Sequence, residues 1–497
     1  MPTSRSVRPQ RGVRIGILAI AAALVAACVS SPSSSPQPTP APTPSPSRAL
    51  ASPTNPPGSP TVPSVSPNVT GWISAGTLTL EYDDARLVAL AGGGAIVMGY
   101  TIDRTTDTFD RTLLETELWD PGTNGWQSSG GLELLTSEYA VTGLADGRLL
   151  LVGGTDHDAS SADAYVLDPS TAAWHEVGSM AHDRSHPAAA LLPDGRVLVV
   201  GGYHDAPELE ARASRVTIAS WAGPNADDGF SLFDVYAPPR GRALATAEVF
   251  DPDTRTWAAT GAMRYARTGP AITVLADGRV LVVGSTDDNV HIDDGAYRTA
   301  EIYDPATGRF NLAGALPRLD RSDVSGVTLP DGPPRPGLLG SLIALPDGGA
   351  ALIGRQEYWN RTGEVVRSFR MSGDGTSWRG IAPPFGQIYG GETSPTLSRL
   401  EATVASLPDG SVLVAGGSLP GIWQWDEITF PRAVERYDPG ADAWSELPSM
   451  PEGRVGPLGV RLSDGSVMLV GGYVRVGSGY EAQRAWAPDA FRFVPGP

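Results

Sequence analysis

The sequence predicts an all-β protein assembled from seven copies of one unit, and three observations carry that prediction. First, PDGRVLVVGG at Pro193–Gly202 returns as ADGRLLLVGG (Ala145–Gly154), ADGRVLVVGS (Ala276–Ser285), PDGGAALIGR (Pro346–Arg355), PDGSVLVAGG (Pro408–Gly417) and SDGSVMLVGG (Ser463–Gly472), with a worn copy at Ala91–Tyr100. Each copy is an Asp-Gly turn followed by an apolar run ending in small residues, the pattern of a buried strand leaving a hairpin. Second, another motif follows: ELWDPGTNGW (Glu117–Trp126), YVLDPSTAAW (Tyr165–Trp174), EVFDPDTRTW (Glu248–Trp257), EIYDPATGRF (Glu301–Phe310) and ERYDPGADAW (Glu435–Trp444), with weaker copies at Ser368–Trp378 and Arg484–Phe493. Its Asp accepts backbone N–H groups of its own turn and its Pro fixes the next φ, so Asp-Pro joins two strands. Third, a period of roughly 50 residues marks a repeat array, which lets a long chain form one closed unit.

Composition narrows the function classes. The chain has 497 residues, 41% of them hydrophobic, with 59 glycines and 45 prolines, as suits a turn-rich β protein. Its formal charge is −18, and all 37 basic residues are arginine. Without lysine there is no Schiff-base chemistry and no P-loop. An acidic chain also lacks the basic footprint that nucleic acid demands. A single cysteine, Cys28, excludes a disulfide framework and a cysteine-rich metal site within one chain.

From the N-terminus, Arg5, Arg8, Arg11 and Arg14 precede an apolar run, Ile15–Val25, that is too short to span a bilayer in the mature protein and reads as a secretory signal. It ends in Val25-Ala26-Ala27-Cys28, which resembles the bacterial lipoprotein processing site. That resemblance implies lipid on Cys28 and a domain anchored to the cell membrane outside the cytoplasm. Residues 29–68 are mostly Ser, Pro, Thr and Ala, with nothing to build a core, and are expected to be a disordered, extended spacer. Residues 69–497 carry the repeats.

The Asp-Gly turn, Gly-Gly, Tyr-Asp-Pro and Trp of these units resemble the kelch repeat. The resemblance implies a seven-bladed β-propeller of four-stranded blades around a central channel, with strands a to d running from the axis outward. Strand a then leads through the Asp-Gly turn into b, and c through the Asp-Pro turn into d. Gly71-Trp72-Ile73-Ser74-Ala75-Gly76-Thr77-Leu78 matches the end of a repeat, so the N-terminus is expected to supply the outer strand of the last blade. The alternative is that the C-terminal copy completes that blade itself.

Alternation of the strands puts both short turns on one face, here called lower. The long connections fall on the upper face: Tyr203–Ala243 and Thr286–Arg298 between b and c, and Pro317–Gly337 and Arg379–Ser398 between d and a. Long loops on a rigid scaffold are where binding usually sits. Trp221, Trp359, Trp423 and Trp425 lie in b–c insertions, either anchoring their own loops or forming an aromatic platform for a sugar ring or partner. Arg184, Arg267, Arg399 and Arg454 stand nine residues before the glycine-rich motif of units three, four, six and seven, at the upper start of strand a; units one, two and five have Tyr82, Thr136 and Gly337 there. Such guanidinium groups suit carboxylate or phosphate, or they pair with the repeat glutamates Glu117, Glu248, Glu301 and Glu435. His157, His204 and His291 follow strand b in adjacent units beside acids, a set weighed as zinc or copper ligands against exposed loop histidines. His182 and His186 flank Arg184 and are expected to pack the start of strand a. Asp227-Asp228-Gly229 and Asp293-Asp294-Gly295 read as turns.

Kelch resemblance extends to galactose oxidase, whose copper radical site needs a cysteine joined to a tyrosine. With only Cys28, that activity is expected to be absent, and no cofactor or metal is assigned. Ser372–Trp378 resembles a sialidase aspartate box but is one residue short and falls on a c–d turn. The favoured expectation is a monomeric surface-displayed module that binds or scaffolds a protein or glycan through the upper face. The alternative is a sialate mutarotase-like enzyme acting on an acidic sugar, although no catalytic pair stands out by spacing.

Overall fold

A computed structural model describes residues 70–496, except 104–107, 134–135, 157–158, 206–240, 286–296, 318–334, 337–339, 361–362, 383–386, 390–391, 395–400, 418–430 and 478–482. Cys28 and the stretch 1–69 lie outside the described residues. Among those described, no helix is long and apolar enough to cross a membrane.

Strand b explains the architecture. Leu149–Val152, Val197–Val200, Val280–Val283, Val412–Ala415 and Val467–Val470 are buried at every position, so both faces of each sheet must be covered. Alternate side chains then feed different cores. Val197 and Val199 pack with Leu150, Val152 and Val166 of the preceding unit, while Leu198 and Val200 pack with Val280, Val282 and Tyr303 of the following one. Seven apolar clusters result, one between each pair of neighbouring blades.

Seven blades of four antiparallel strands follow in order. Blade 1 is Tyr82–Ala89, Ala95–Asp103, Thr108–Asp120 and Gly125–Glu133; blade 3 is Ala188–Leu191, Val197–Val200, Ala247–Asp251 and Thr256–Ala259. Neighbouring a strands contact one another around a closed circuit, which places them innermost. The ring closes in blade 7, where Leu458–Arg461, Val467–Val470 and Asp489–Val494 are joined by the N-terminal strand Gly71–Thr77 as strand d. Both termini therefore build the closing blade.

One expected register is corrected. The weak motif Arg484–Phe493 suggested that Trp486 lies in strand c and Phe493 at the tryptophan position. Instead strand c begins after Pro488, which lacks a ladder donor, and Phe493 pairs with Trp72 across c and d. Trp486 belongs to a b–c hairpin, Tyr473–Val476 with Gln483–Trp486. Its ring covers Gly471, where a Cβ would come within 2.4 Å at φ +65°. That crowding is why this repeat ends in glycine.

The repeat tryptophan is a staple between blades. In five blades its indole Nε1 donates to a backbone carbonyl of the preceding blade: Trp72 to Pro448 (2.7 Å), Trp126 to Ala75 (2.9 Å), Trp257 to Gly178 (3.1 Å), Trp378 to Ala313 (2.9 Å) and Trp444 to Ala382 (2.7 Å); in blade 2 the Trp174 Nε1 is buried without a partner among the described residues. Blade 4 has Phe310 instead, and there the Tyr303 hydroxyl meets Thr260 Oγ1 at 2.9 Å. On the lower face the turn aspartates are clasped by arginine. Blades 2 to 4 use the residue two positions on (Arg148, Arg196, Arg279), and blades 5 to 7 use strand c (Arg370, Arg436, Arg492).

Trp72→Phe keeps the ring against Phe493 and deletes the donor to Pro448, so equilibrium urea unfolding should show a loss of about 1 kcal/mol. Trp72→Ala, which also opens space in the closing blade, should cost about 3–5 kcal/mol; equal losses for the two would mean that the staple contributes nothing.

Candidate functional site

The upper mouth of the channel is built where each d–a connection turns into strand a. A buried glutamate on strand c holds that turn. In blade 3, Glu248 accepts the backbone N–H of Ala181 (2.7 Å) and His182 (3.2 Å) and the Nη2 of Arg184 (2.8 Å). In blade 4, Glu301 does the same for Arg264, Tyr265 and Arg267. In blade 1, Glu117 accepts from Thr79 and Leu80, and the Tyr82 hydroxyl replaces the arginine at 3.1 Å. Burial beside this carboxylate pushes the Tyr82 phenol far above its ordinary value, so it stays a donor.

Arg184, Arg267 and Arg454 stand just ahead of their a strands, and their guanidinium groups turn into their own blades. Arg184, Arg267 and Arg454 are 0% exposed. Arg184 Nη1 also donates to Gly201 O and Thr246 O, and Arg267 Nη1 to Gly284 O and Thr299 O. Burial draws all three below the ordinary arginine value, while the neighbouring carboxylates oppose that shift. Arg399 lies outside the described residues. So do Trp221, Trp423 and Trp425, together with His157, His291 and both Asp-Asp-Gly turns; Trp359 falls in the long strand Ala350–Asn360 without a described side chain.

At the six described positions two residues beyond the arginine position, the backbone is left-handed: Asp84 (φ 48°), Glu138 (62°), His186 (47°), Gly269 (49°), Glu401 (52°) and Gly456 (67°). Successive members are joined around the mouth, His186 N–H to Glu138 O (2.8 Å), Gly269 N–H to His186 O (2.8 Å) and Gly456 N–H to Glu401 O (3.2 Å). Four of these six positions thus carry polar side chains in a conformation that costs a non-glycine residue about 1–2 kcal/mol. The side chains of blades 1 to 3 gather there. His186 Nδ1 lies 3.1 Å from Glu138 Oε2, Arg86 Nη1 donates to Asp84 at 2.7 Å, and the Arg86 guanidinium stands over the Tyr139 ring. Burial holds the His186 imidazole below its ordinary value in spite of the carboxylates beside it.

His204 stands on the b–c hairpin of blade 3, its Nδ1 2.8 Å from both carboxylate oxygens of Asp183, which also accepts the Ser160 hydroxyl from blade 2. This ties adjacent upper loops together. Among the described residues no group of three or more His, Cys, Asp or Glu side chains could hold a metal ion. The mouth ring is not legible as a motif because Asp84, Glu138, His186, Gly269, Glu401 and Gly456 are of four residue types; the available signal is their constant offset from the arginine position.

Residues 139–181 match the family model described as "Kelch motif". No curated protein matches the chain. Among solved structures, one similar to this chain is a "novel fungal alcohol oxidase with catalytic diversity among the AA5 family, in complex with copper", at 15% identity and a TM-score of 0.51, covering 86% of this chain and 77% of that one. The likeness is one of fold. A copper radical site of the galactose oxidase kind does not fit these residues, since 70–496 contain no cysteine to join to a tyrosine.

Glu301→Gln should destabilise the protein by about 3–5 kcal/mol in denaturant unfolding, because it strands a buried guanidinium. Glu401→Gly should do the reverse, relief of the left-handed strain outweighing the extra freedom of the unfolded chain by about 0.5 kcal/mol. A Glu401→Gly protein less stable than its parent would remove the case for strain at the mouth.

Proposed function

We propose that this kelch-type propeller is a binding or scaffolding module, anchored through lipid on Cys28 and displayed outside the cytoplasm, that takes a protein or glycan on its upper face. The observation that supports it is the mouth ring. Asp84, Glu138, His186 and Glu401 keep polar side chains at backbone positions where Gly269 and Gly456 stand without strain; left-handed backbone also recurs at Asn124, Ala172, Arg255 and Asp442 in the c–d turns, so what distinguishes the mouth is that its ionisable side chains are gathered from adjacent blades. The upper loops, with Trp221, Trp359, Trp423 and Trp425, would supply further contact area.

Enclosure of Arg184 and Arg267 by their own glutamates weighs against the acidic-sugar mutarotase reading, which drew on a ring of available guanidinium groups. Binding without chemistry is the simpler reading of a mouth whose ionisable groups are tied to one another.

Purified protein screened on glycan arrays and against envelope extracts should retain a ligand that is weakened tenfold or more in a Glu138→Gly, Glu401→Gly double variant with unchanged or raised melting temperature. Unchanged binding in that variant would remove the mouth from the interface. With galactose and added copper, hydrogen peroxide production should not rise above a protein-free control.

A further inference from the structure

We propose that one edge of Arg454, its Nε and Nη2, is a recognition point for a ligand carboxylate on the upper face of blade 7, an inference that rests on the binding-module reading above. Arginine and glutamate do not occur in the same set of blades. Strand c carries the glutamate in blades 1, 3, 4 and 6, at the residue paired with the third position of strand b: Val97 with Glu117, Val199 with Glu248, Val282 with Glu301 and Val414 with Glu435. In blade 7 that register pairs Leu469 with Phe491. Arg454 is thus an arginine without its acid.

The surroundings are adapted to that loss. Glu248 and Glu301 each cap the backbone N–H three residues before the arginine, at Ala181 and Arg264. The corresponding residue in blade 7 is Pro451, which has no N–H to satisfy. The guanidinium lies over the Phe491 ring, 4.8 Å from its centroid, and Nη1 donates to Gly471 O (3.0 Å) and Asp489 O (2.6 Å). These bonds fix its plane.

Nε and Nη2 are buried and have no hydrogen-bond partner among the described residues. They share the side of the guanidinium that matches the two oxygens of a carboxylate, the geometry of a bidentate pair. Two acids stand near without completing it: Glu452 Oε2 is 3.5 Å and Asp489 Oδ2 4.0 Å from Nη2, and both side chains are about half exposed. Glu452 is the nearer of the two, a half-exposed and loosely held counter-charge. An incoming carboxylate would displace it, exchanging one exposed ion pair for a fully hydrogen-bonded one. A buried donor left unmade carries a standing cost that such a ligand removes.

The test uses the full chain carrying isotope-labelled arginine, with the Arg454 Nε–H resonance identified by its loss in Arg454→Lys. Acetate should shift this resonance saturably. Glu452→Ala, which removes the 3.5 Å contact to Nη2, should tighten acetate about two- to fivefold, the equivalent of one exposed ion pair. Phe491→Glu restores the carboxylate of blades 3 and 4, so it should abolish the acetate response and raise the melting temperature. A Glu-Glu dipeptide and glucuronate, titrated separately, distinguish a protein from a sugar as the source of the carboxylate. An Arg454 resonance unmoved by acetate in Glu452→Ala, or acetate bound as well by a folded Phe491→Glu as by the parent, would overturn the proposal. A retained macromolecular ligand beside a silent Arg454 would sink this site while leaving the binding module standing.

Discussion

Everything in this propeller depends on the double-sided burial of strand b. A run such as VLVV cannot be half solvated: its odd residues belong to one inter-blade core and its even residues to the next. No blade then owns a core, and an open array would expose an apolar sheet face at each end. Closure through Gly71–Thr77 is the consequence, since pairing the first strand with the last blade covers both ends at once. It also makes the ring depend on contacts between residues some 400 positions apart in the chain, Trp72 with Pro448 among them.

Apolar faces alone would let neighbouring blades slide. Register is set by polar pins at the rims. Towards the outside, a tryptophan indole in five of the blades reaches a carbonyl of the preceding blade. Near the axis, a glutamate buried on strand c gathers the N–H groups of the turn entering strand a, and arginine or tyrosine completes its shell. These are low-dielectric, nearly saturated networks, in which a satisfied carboxylate rigidifies and a widowed partner is costly. The lower face solves a milder problem, since its turn aspartates are exposed and arginine can reach them from two different strands.

Left-handed non-glycine residues occur in the c–d turns of the lower face, at Asn124, Ala172, Arg255 and Asp442, and again at the upper mouth, where their side chains meet those of adjacent blades. Polar side chains occupy left-handed backbone in four of the six described positions, and blade 7 keeps its arginine while losing its glutamate. Both features lie on the face that carries the long connections. Ionisable side chains drawn together at the mouth and a buried guanidinium edge in blade 7 make these two places the natural ones for a partner to complete.

The sequence by itself determined the number of blades, the two turn types and the faces they lie on, because these follow from periodicity, turn chemistry and strand alternation; it offered both termini for the outer strand of the last blade, and the pairing of Gly71–Thr77 with Asp489–Val494 decided between them. It also placed the arginines at the start of strand a. It did not reveal which way their side chains turn, since an arginine at a channel mouth and one folded back onto a buried glutamate have the same spacing. The C-terminal motif misled for a related reason: Trp486 and Phe493 stand at the right interval for one role, yet Pro488 and the incoming N-terminal strand assign them others. Only the tertiary structure could decide these points, because each depends on which backbone amide or carboxylate arrives from a distant segment, and composition and spacing do not encode that geometry.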